Sequence, residues 1–395
     1  MHLFISAGEP SGDQHAAQLV GELRRRHPEL TVSGFGGTEL ADAGQNQLFR
    51  LTDLAVMGIM AVLPLIRKFW ALYKQADQFF QQERPDAVLL VDFPGFNWWI
   101  AKAAKRAGIP VYYYCPPQLW AWAGWRIRKV RKSVDCVLSV LPFEAEWYRE
   151  RGIDVEYVGH PFFDDVARHA LDPAVLQTLR NRSSRRVALL PGSRKQEVLR
   201  NFPLMLDVIR QLHQRHPDVR FPVACYKQWH FDRCQALIAE EGAGLPIDLY
   251  LGKTSEVIEA ADCCLMVSGS VSLELLARRK PAVVVYRGGV VMAALAKLLV
   301  TCRYMTLPNL ISGRGLMPEF PCVFRHGHQI EQMTRVLNGW LENPASLEKV
   351  QSEVDALADS VVQAGGVAHC AEILLKRCGA LPNPAGTQFS KRFAA

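Results

Sequence analysis

MHLFISAGEPSGD, residues 1–13, sets a short apolar run against a turn rich in glycine and acid, and a helical stretch follows. His2–Ala7 reads as a buried strand, and Gly8-Glu9-Pro10-Ser11-Gly12-Asp13 as the turn that opens a helix. Glycine permits close backbone approach there, and Ser11 or Asp13 is placed to cap the next helix. A plain capped turn accounts for the same residues. The G-x-G-x-x-G spacing is absent, so this is not a dinucleotide fingerprint. With no basic n-region, and with Gly, Glu and Pro arriving early, the stretch is expected to be a strand and not a signal peptide.

The same arrangement recurs twice. RVALLPGSR, residues 186–194, runs a strand into Pro191-Gly192-Ser193-Arg194, with Glu197 close behind. Cys263–Val267 leads into Ser268-Gly269-Ser270 and a helix carrying Glu274 one turn in. Between them, strands at Thr31–Gly34, Ala87–Asp92, Val111–Cys115, Cys136–Leu141, Phe221–Cys225, Asp248–Leu251 and Ala282–Tyr286 alternate with helical stretches. That alternation predicts an α/β protein built on parallel sheets. At 395 residues the chain suits two domains. We expect residues 1–167 as the first, 168–185 as a linker, 186–379 as the second and 380–395 as a disordered tail. In such sheets anionic ligands lie at the carboxyl ends of strands, against helix N-termini. Two domains facing across a cleft, with the ligand between them, are the expectation.

Composition narrows the classes. Hydrophobic residues make up 49% and charged residues 22%, which excludes disorder and collagen-like repeats. The longest apolar run, Leu54–Ile66, has 13 residues, whereas a bilayer span needs roughly 20. It contains Met57, Ile59 and Met60, and Arg67 and Lys68 follow it, so it reads either as core or as a patch dipping into lipid. Ten cysteines without a Cys-x-x-Cys pair predict buried reduced thiols in a cytosolic protein, a zinc or disulfide framework being the weaker alternative. Net charge is +7, concentrated where Trp120, Trp122 and Trp125 interleave with Arg126, Arg128, Lys129, Arg131 and Lys132. That cluster suits phosphates of nucleic acid, lipid head groups or nucleotides, or is a solvated basic helix.

Asp92 ends the apolar strand in Val91-Asp92-Phe-Pro-Gly-Phe-Asn97. Near an apolar wall, desolvation would raise its pKa and suit it to general-base work. Arg194 offers a fixed, always-charged fork for a diphosphate, and Glu274 could accept hydrogen bonds from ribose hydroxyls; a plain capped helix at the first turn and a capping box at the second account for the same residues. His15 and His160 read as structural. No Asp-x-Asp occurs in the chain, so no metal and no cofactor are expected. A bound diphosphate would then be neutralised by helix N-termini and Arg194.

Taken in order, Gly8-Glu-Pro-Ser-Gly-Asp13, Asp53-Leu-Ala-Val-Met-Gly-Ile59, Asp92-x-Pro-x-Phe-Asn97, Leu119-Trp-Ala-Trp122, Leu141-Pro-Phe-Glu144, Gly159-His160, Leu190-Pro-Gly-Ser-Arg194, Ser268-Gly-x-x-x-Leu-Glu274 and Leu307-Pro-Asn-Leu310 resemble the lipid-A-disaccharide synthase family. The resemblance runs to about residue 378. It implies a GT-B glycosyltransferase acting at the inner face of a Gram-negative inner membrane. Such an enzyme transfers diacylglucosamine from UDP to diacylglucosamine 1-phosphate with inversion. It also implies Asp92 as the base, Gly192, Ser193, Arg194, Glu197, Ser268, Gly269, Ser270, Glu274 and Asn309 with the UDP-sugar, and Gly8, Glu9, Ser11, Gly12 and Asp13 as a cleft turn. Met57, Ile59, Met60, Trp120, Trp122, Arg126, Arg128 and Lys129 would face acceptor or membrane. The substrates and the membrane surface are the expected partners, with a homodimer possible and nucleic acid not expected. Met317-Pro-Glu-Phe-Pro-Cys322 departs from the family's usual helix in the region that helps build a swapped dimer. Rival readings are the lipid-linked peptidoglycan glucosaminyltransferase, a UDP-sugar epimerase, or a non-catalytic membrane- or nucleic-acid-binding protein. An epimerase would not need the membrane-facing surfaces, and a binding protein would leave Asp92 and the paired turns without purpose.

Overall fold

The computed structural model describes residues 1–54, 63–289, 299–323 and 327–381. Strands β1 (His2–Ala7), β2 (Thr31–Gly36), β3 (Asn46–Arg50), β4 (Ala87–Val91), β5 (Val111–Tyr114), β6 (Cys136–Ser139) and β7 (Val155–Tyr157) make a parallel sheet in the order β3-β2-β1-β4-β5-β6-β7. A second parallel sheet holds β8 (Val187–Leu190), β9 (Phe221–Cys225), β10 (Ile247–Leu251), β11 (Cys263–Val267), β12 (Ala282–Arg287) and β13 (Glu319–Cys322), in the order β10-β9-β8-β11-β12-β13. Helices cover both faces. Central strands β4 and β11 are therefore apolar at every position, Ala87-Val-Leu-Leu-Val91 and Cys263-Cys-Leu-Met-Val267, all of them buried.

Each sheet reverses direction once in its strand order, between β1 and β4 and between β8 and β11. At such a switch point the connections leave to opposite sides and open a crevice at the carboxyl ends of the strands. All three Gly/Ser turns and Asp92 follow these four strands. The helix Pro10–Arg26 buries Gly12, Ala16, Leu19, Val20 and Leu23, the spacing of one helical face against the sheet.

The described residues divide into two compact units, Met1–Pro161 with the chain from Ala364 onward, and Phe162–Gln363. This differs from the expected division at two places. The stretch 168–185 is not a free linker. It holds the helix Pro173–Arg182, capped by the Asp172 side chain, and Arg185 pairs with Asp218 at 2.6 Å. Leu179 of that helix is buried in the second unit. The described residues after 363 also do not belong to the second unit. The helix Gly366–Arg377 packs on the first, burying Cys370, Leu374 and Leu375, with Arg377 bonded to Asp154 and Glu156. A Cβ at Gly366 would lie 3.1 Å from the Gly159 carbonyl, so a larger residue would crowd this crossing. Most of the Leu54–Ile66 segment, including Met57, Ile59 and Met60, lies outside the described residues, as does residue 382 onward.

Candidate active site

At the end of β1, glycine is demanded by contact. A Cβ at Gly8 would sit 2.3 Å from the Phe93 ring, whereas one at Gly12 would make an ordinary contact 3.4 Å from the Asp92 Cβ. The turn is thus packed closely against Phe93 and lies beside Asp92. Glu9 and Ser11 are exposed, and neither they nor Asp13 caps the helix Pro10–Arg26 through a side chain. Asp13 instead points away from the turn and is buried. Its carboxylate accepts the N–H groups of Gly37 at 2.6 Å, Glu39 at 3.0 Å and Leu40 at 3.4 Å, capping the helix Thr38–Asp42. This contact requires glycine at 37, because a Cβ there would lie 2.4 Å from Asp13 Oδ2. Asp13→Ala would orphan three donors, two of them buried, and should destabilise the protein by roughly 3 kcal/mol in chemical denaturation. A loss no larger than that of an exposed substitution would remove Asp13 from this role.

Asp92 is the first residue beyond β4. It has φ 48°, and Phe93 after it has φ 45°, both left-handed. Such conformations in non-glycine residues cost on the order of 1–3 kcal/mol each and gather at functional sites. The carboxylate accepts the Phe93 N–H on Oδ1 at 2.9 Å. Burial first, and the Glu9 carboxylate second, push its pKa up to about 6. Behind the turn stands Asn97, fully buried. Its Nδ2 donates to the carbonyls of Asp92 at 2.8 Å and of Val91 and Ser6 at 3.2 Å each. Ser6 Oγ donates to Asn97 Oδ1 at 2.7 Å, and the Tyr113 hydroxyl donates to the Asp92 carbonyl at 2.8 Å. Asn97 belongs to the quoted motif, but nothing in the sequence marks its side chain as the support of the turn.

The aromatic-basic stretch lies between β5 and β6, and the structure splits it. Trp120 turns inward, its indole N–H bonded to Glu144 at 2.9 Å and its ring edge-on to Phe143 at 4.7 Å. Glu144 is buried and also accepts Ser139 Oγ at 2.8 Å; burial pushes its pKa up to about 7. Trp122 and Trp125 are exposed, with the Arg126 guanidinium 4.7 and 5.3 Å from their ring centroids. Arg128 and Lys129 are exposed on the short helix Ile127–Ser133. The three indoles therefore do not share one surface. His160 stacks edge-on to His15, and burial pushes its pKa down to about 3.

In the second unit, the turn after β8 is closed by Glu197. Its Oε2 accepts the N–H groups of Ser193 at 3.0 Å and Arg194 at 3.1 Å, while Arg194 Nη1 lies 3.3 Å from Oε1. Gly192 has φ 116°, and a Cβ there would lie 2.6 Å from the Glu197 Cβ. The expected phosphate cradle is thus occupied by a carboxylate of its own helix, and Arg194 remains 64% exposed. After β11, Ser268 Oγ donates to the Met305 carbonyl at 3.2 Å, and Ser272, not Ser270, closes the helix start by donating to Gly269 at 2.8 Å. Gly269 has open space where a Cβ would point. Glu274 accepts Ser255 Oγ at 2.6 Å and Arg278 Nε at 3.0 Å, both on Oε1.

Asn309 stands differently from its expected place beside a ligand. It is fully buried, with Nδ2 donating to the Met317 carbonyl and to Glu319 Oε1 at 2.7 Å each, and Oδ1 accepting the Met317 N–H at 2.8 Å. Both ends of the amide are spent on the loop. Glu319, which the sequence does not single out, also accepts the N–H groups of Met305 at 2.8 Å and Thr306 at 2.9 Å. It pins the start of the helix Leu307–Ser312 to β13.

Two doubly wound parallel sheets, each with its turns at the switch point, define a GT-B-type α/β protein. Solved structures of that fold agree. The UDP-GlcNAc 2-epimerase of Neisseria meningitidis, bound to UDP-GlcNAc, is 12% identical with a TM-score of 0.62, covering 96% of this chain and 100% of that one. MurG of Acinetobacter baumannii is 16% identical with a TM-score of 0.58, covering 95% and 99%. At these identities the likeness concerns the fold alone. Sequence is more specific. The family described as Lipid-A-disaccharide synthetase matches residues 3–357. The lipid-A-disaccharide synthase of Myxococcus xanthus is 37% identical, covering 80% of this chain and 82% of that protein. That of Anaeromyxobacter sp. is 34% identical, covering 94% and 92%. The chain belongs to the lipid-A-disaccharide synthase family, and is a glycosyltransferase of lipid A biosynthesis. The rival readings are not favoured.

Proposed function

We propose that the protein condenses UDP-2,3-diacylglucosamine with 2,3-diacylglucosamine 1-phosphate, giving the β-1,6-linked disaccharide 1-phosphate and UDP. The acceptor 6-hydroxyl attacks the anomeric carbon as its bond to the diphosphate oxygen breaks. The hydroxyl proton passes to Asp92, and the electron pair leaves with UDP. The observation that carries this reading is Asp92 itself: a strained, partly desolvated carboxylate at the switch point, with a pKa of about 6. Such a group is ionised at neutral pH yet basic enough to take a proton in the transition state.

The donor falls to the second unit in this reading. The Arg194 fork has one arm on Glu197 and the rest for the diphosphate, where charge grows as the bond breaks. Glu274 Oε2 is offered to the ribose. Asn309 acts by shaping the loop that Glu319 and Ser268 hold. Incubation with both diacylated substrates should release UDP and disaccharide in equal amounts. UDP release without the acceptor, or with a non-lipid acceptor equally well, would overturn the substrate assignment.

Attachment to the surface of the inner membrane follows from substrates that carry acyl chains. No helix among the described residues is long and apolar enough to cross a membrane. Supporting the attachment, Ile66, Trp70 and Trp99 are 53%, 50% and 49% exposed, and Lys74 lies 5.7 Å from the Trp70 ring centroid. Trp at an interface with cations nearby suits anionic head groups. Replacing Trp70 and Trp99 together by Ser should weaken binding to anionic vesicles by about tenfold or more, with UDP binding unchanged. Equal retention on vesicles would place the attachment elsewhere.

A further inference from the structure

We infer that Asn97, backed by Ser6 and Tyr113, is the positioning residue that aims the Asp92 carboxylate. The inference rests on the reading of Asp92 as the general base. Two consecutive left-handed residues, the second a bulky Phe93, persist only where the surroundings over-determine them. Here the surroundings converge on one backbone carbonyl. The Asp92 C=O receives both Asn97 Nδ2 and the Tyr113 hydroxyl, each at 2.8 Å. The same amide reaches the ends of β1 and β4 through the Ser6 and Val91 carbonyls. Its oxygen is in turn fixed by Ser6 Oγ at 2.7 Å. Three adjacent strand ends are thereby tied to the peptide that carries the carboxylate.

Asn97 is not a helix cap. A capping side chain stands at the start of its helix and accepts from the amides that follow. Asn97 sits inside the helix Pro94–Arg106 and donates back to carbonyls that precede it. Nothing in forming that helix needs those bonds. What they hold is the direction of the Asp92 backbone, and with it the side chain, whose Oδ1 receives one N–H from Phe93. A carboxylate held by so few bonds of its own depends on its backbone for aim. A misplacement of about 1 Å in such a group can lower a rate on the order of 10²-fold.

The groups facing Asp92 are Glu9 from the first turn, Tyr113 from β5 and Cys115 just beyond it, with the Phe93 N–H. Freeing the turn would let water reach the carboxylate, so its titration should fall back toward the ordinary carboxylate range.

The test uses the full-length enzyme with both diacylated substrates, rates being corrected to the folded fraction by UDP titration. Tyr113→Phe and Ser6→Ala each delete one hydroxyl and nothing else, and Asn97→Ala deletes the whole bracket. Asn97→Ala should lower kcat on the order of 10²-fold, and each hydroxyl deletion by less. KM for the UDP-sugar should stay within about twofold. The acid limb of kcat should move below pH 6. In an Asp92→Asn background none of the three should add a further loss, because the group they aim is gone. If Asn97→Ala does not fold, the two hydroxyl deletions decide alone. Wild-type kcat and an unmoved limb in the folded variants would reduce the bracket to fold support, as would full additivity with Asp92→Asn. If Asp92→Asn itself turned over at the wild-type rate, the base assignment would fall and the positioning role with it. Those two failures read out in different variants.

Discussion

Asp92→Asn should slow turnover by about 10²–10⁴-fold, the usual contribution of a positioned base, and should make the protein more stable at pH 8. Both effects have one origin. A carboxylate whose folded pKa is raised from 3.8 to about 6 binds its proton more tightly in the native state than in the unfolded chain. The stability this proton contributes is fully present below about pH 4 and is lost as pH rises through about 6. Above that, the native state carries a partly desolvated anion at a penalty of roughly 2–3 kcal/mol. Asparagine carries none. Urea denaturation should therefore show the variant gaining on the wild type at pH 8 and not at pH 4. The wild-type kcat should fall on the acid side of pH 6 as the base is protonated. Near-wild-type turnover would sink the catalytic assignment. A stability change equal at both pH values would mean that the carboxylate is not desolvated.

The outline of the fold was legible because of where the strands lie. The strands β4, β8 and β11 are central, buried on both faces, and so read as unbroken apolar runs, and central β1 is interrupted only by Ser6 after its half-covered His2. The edge strands β3, β7 and β13 carry no such run. Asn46-Gln-Leu-Phe-Arg50 is half covered, Val155–Tyr157 is three residues long, and Glu319–Cys322 contains Pro321. An edge position tolerates that proline because one side of the strand needs no donor. The return of the helix Gly366–Arg377 to the first unit was equally hidden. An apolar helix face announces that it is buried, not against what.

The site was legible as a set of turns and less so as a set of roles. The turns are visible because glycine is required by the Phe93 ring at Gly8 and by Glu197 at Gly192. Roles depend on partners that sequence does not show. Asp13 and Asn309 have the chemistry of ligand contacts, yet their polar atoms are consumed by Gly37, Glu39 and Leu40 in one case and by Met317 and Glu319 in the other. Trp120 belongs by sequence to the exposed indoles and by structure to the buried Glu144. In each case a buried polar atom took a local partner, as burial requires.

Arg194 escapes that fate, and its replacement is the second large expected effect. Its side chain is 64% exposed, and its contact with Glu197 at 3.3 Å is a surface ion pair. Pairs of that kind contribute about 0–1 kcal/mol to stability, so neither Arg194→Lys nor Arg194→Ala should move the unfolding midpoint much. Their rates should move far. Charge grows on the diphosphate as the glycosidic bond breaks, and losing one preorganised donor typically lowers the rate about 10²–10³-fold. Arg194→Ala should approach the upper figure. Arg194→Lys keeps the charge but not the fixed fork that can hold Glu197 and an oxygen of the diphosphate together, so it should recover only part of the loss. Glu197→Gln separates the two parts of the site. It keeps an acceptor oxygen for the Ser193 and Arg194 amides while releasing the guanidinium, and should lower the rate less than loss of Arg194 itself. A fully active Lys variant would reduce the site to simple charge attraction. A fully active Ala variant would leave the turn after β8 as a helix cap and move the diphosphate to the Ser268-Gly269-Ser270 turn.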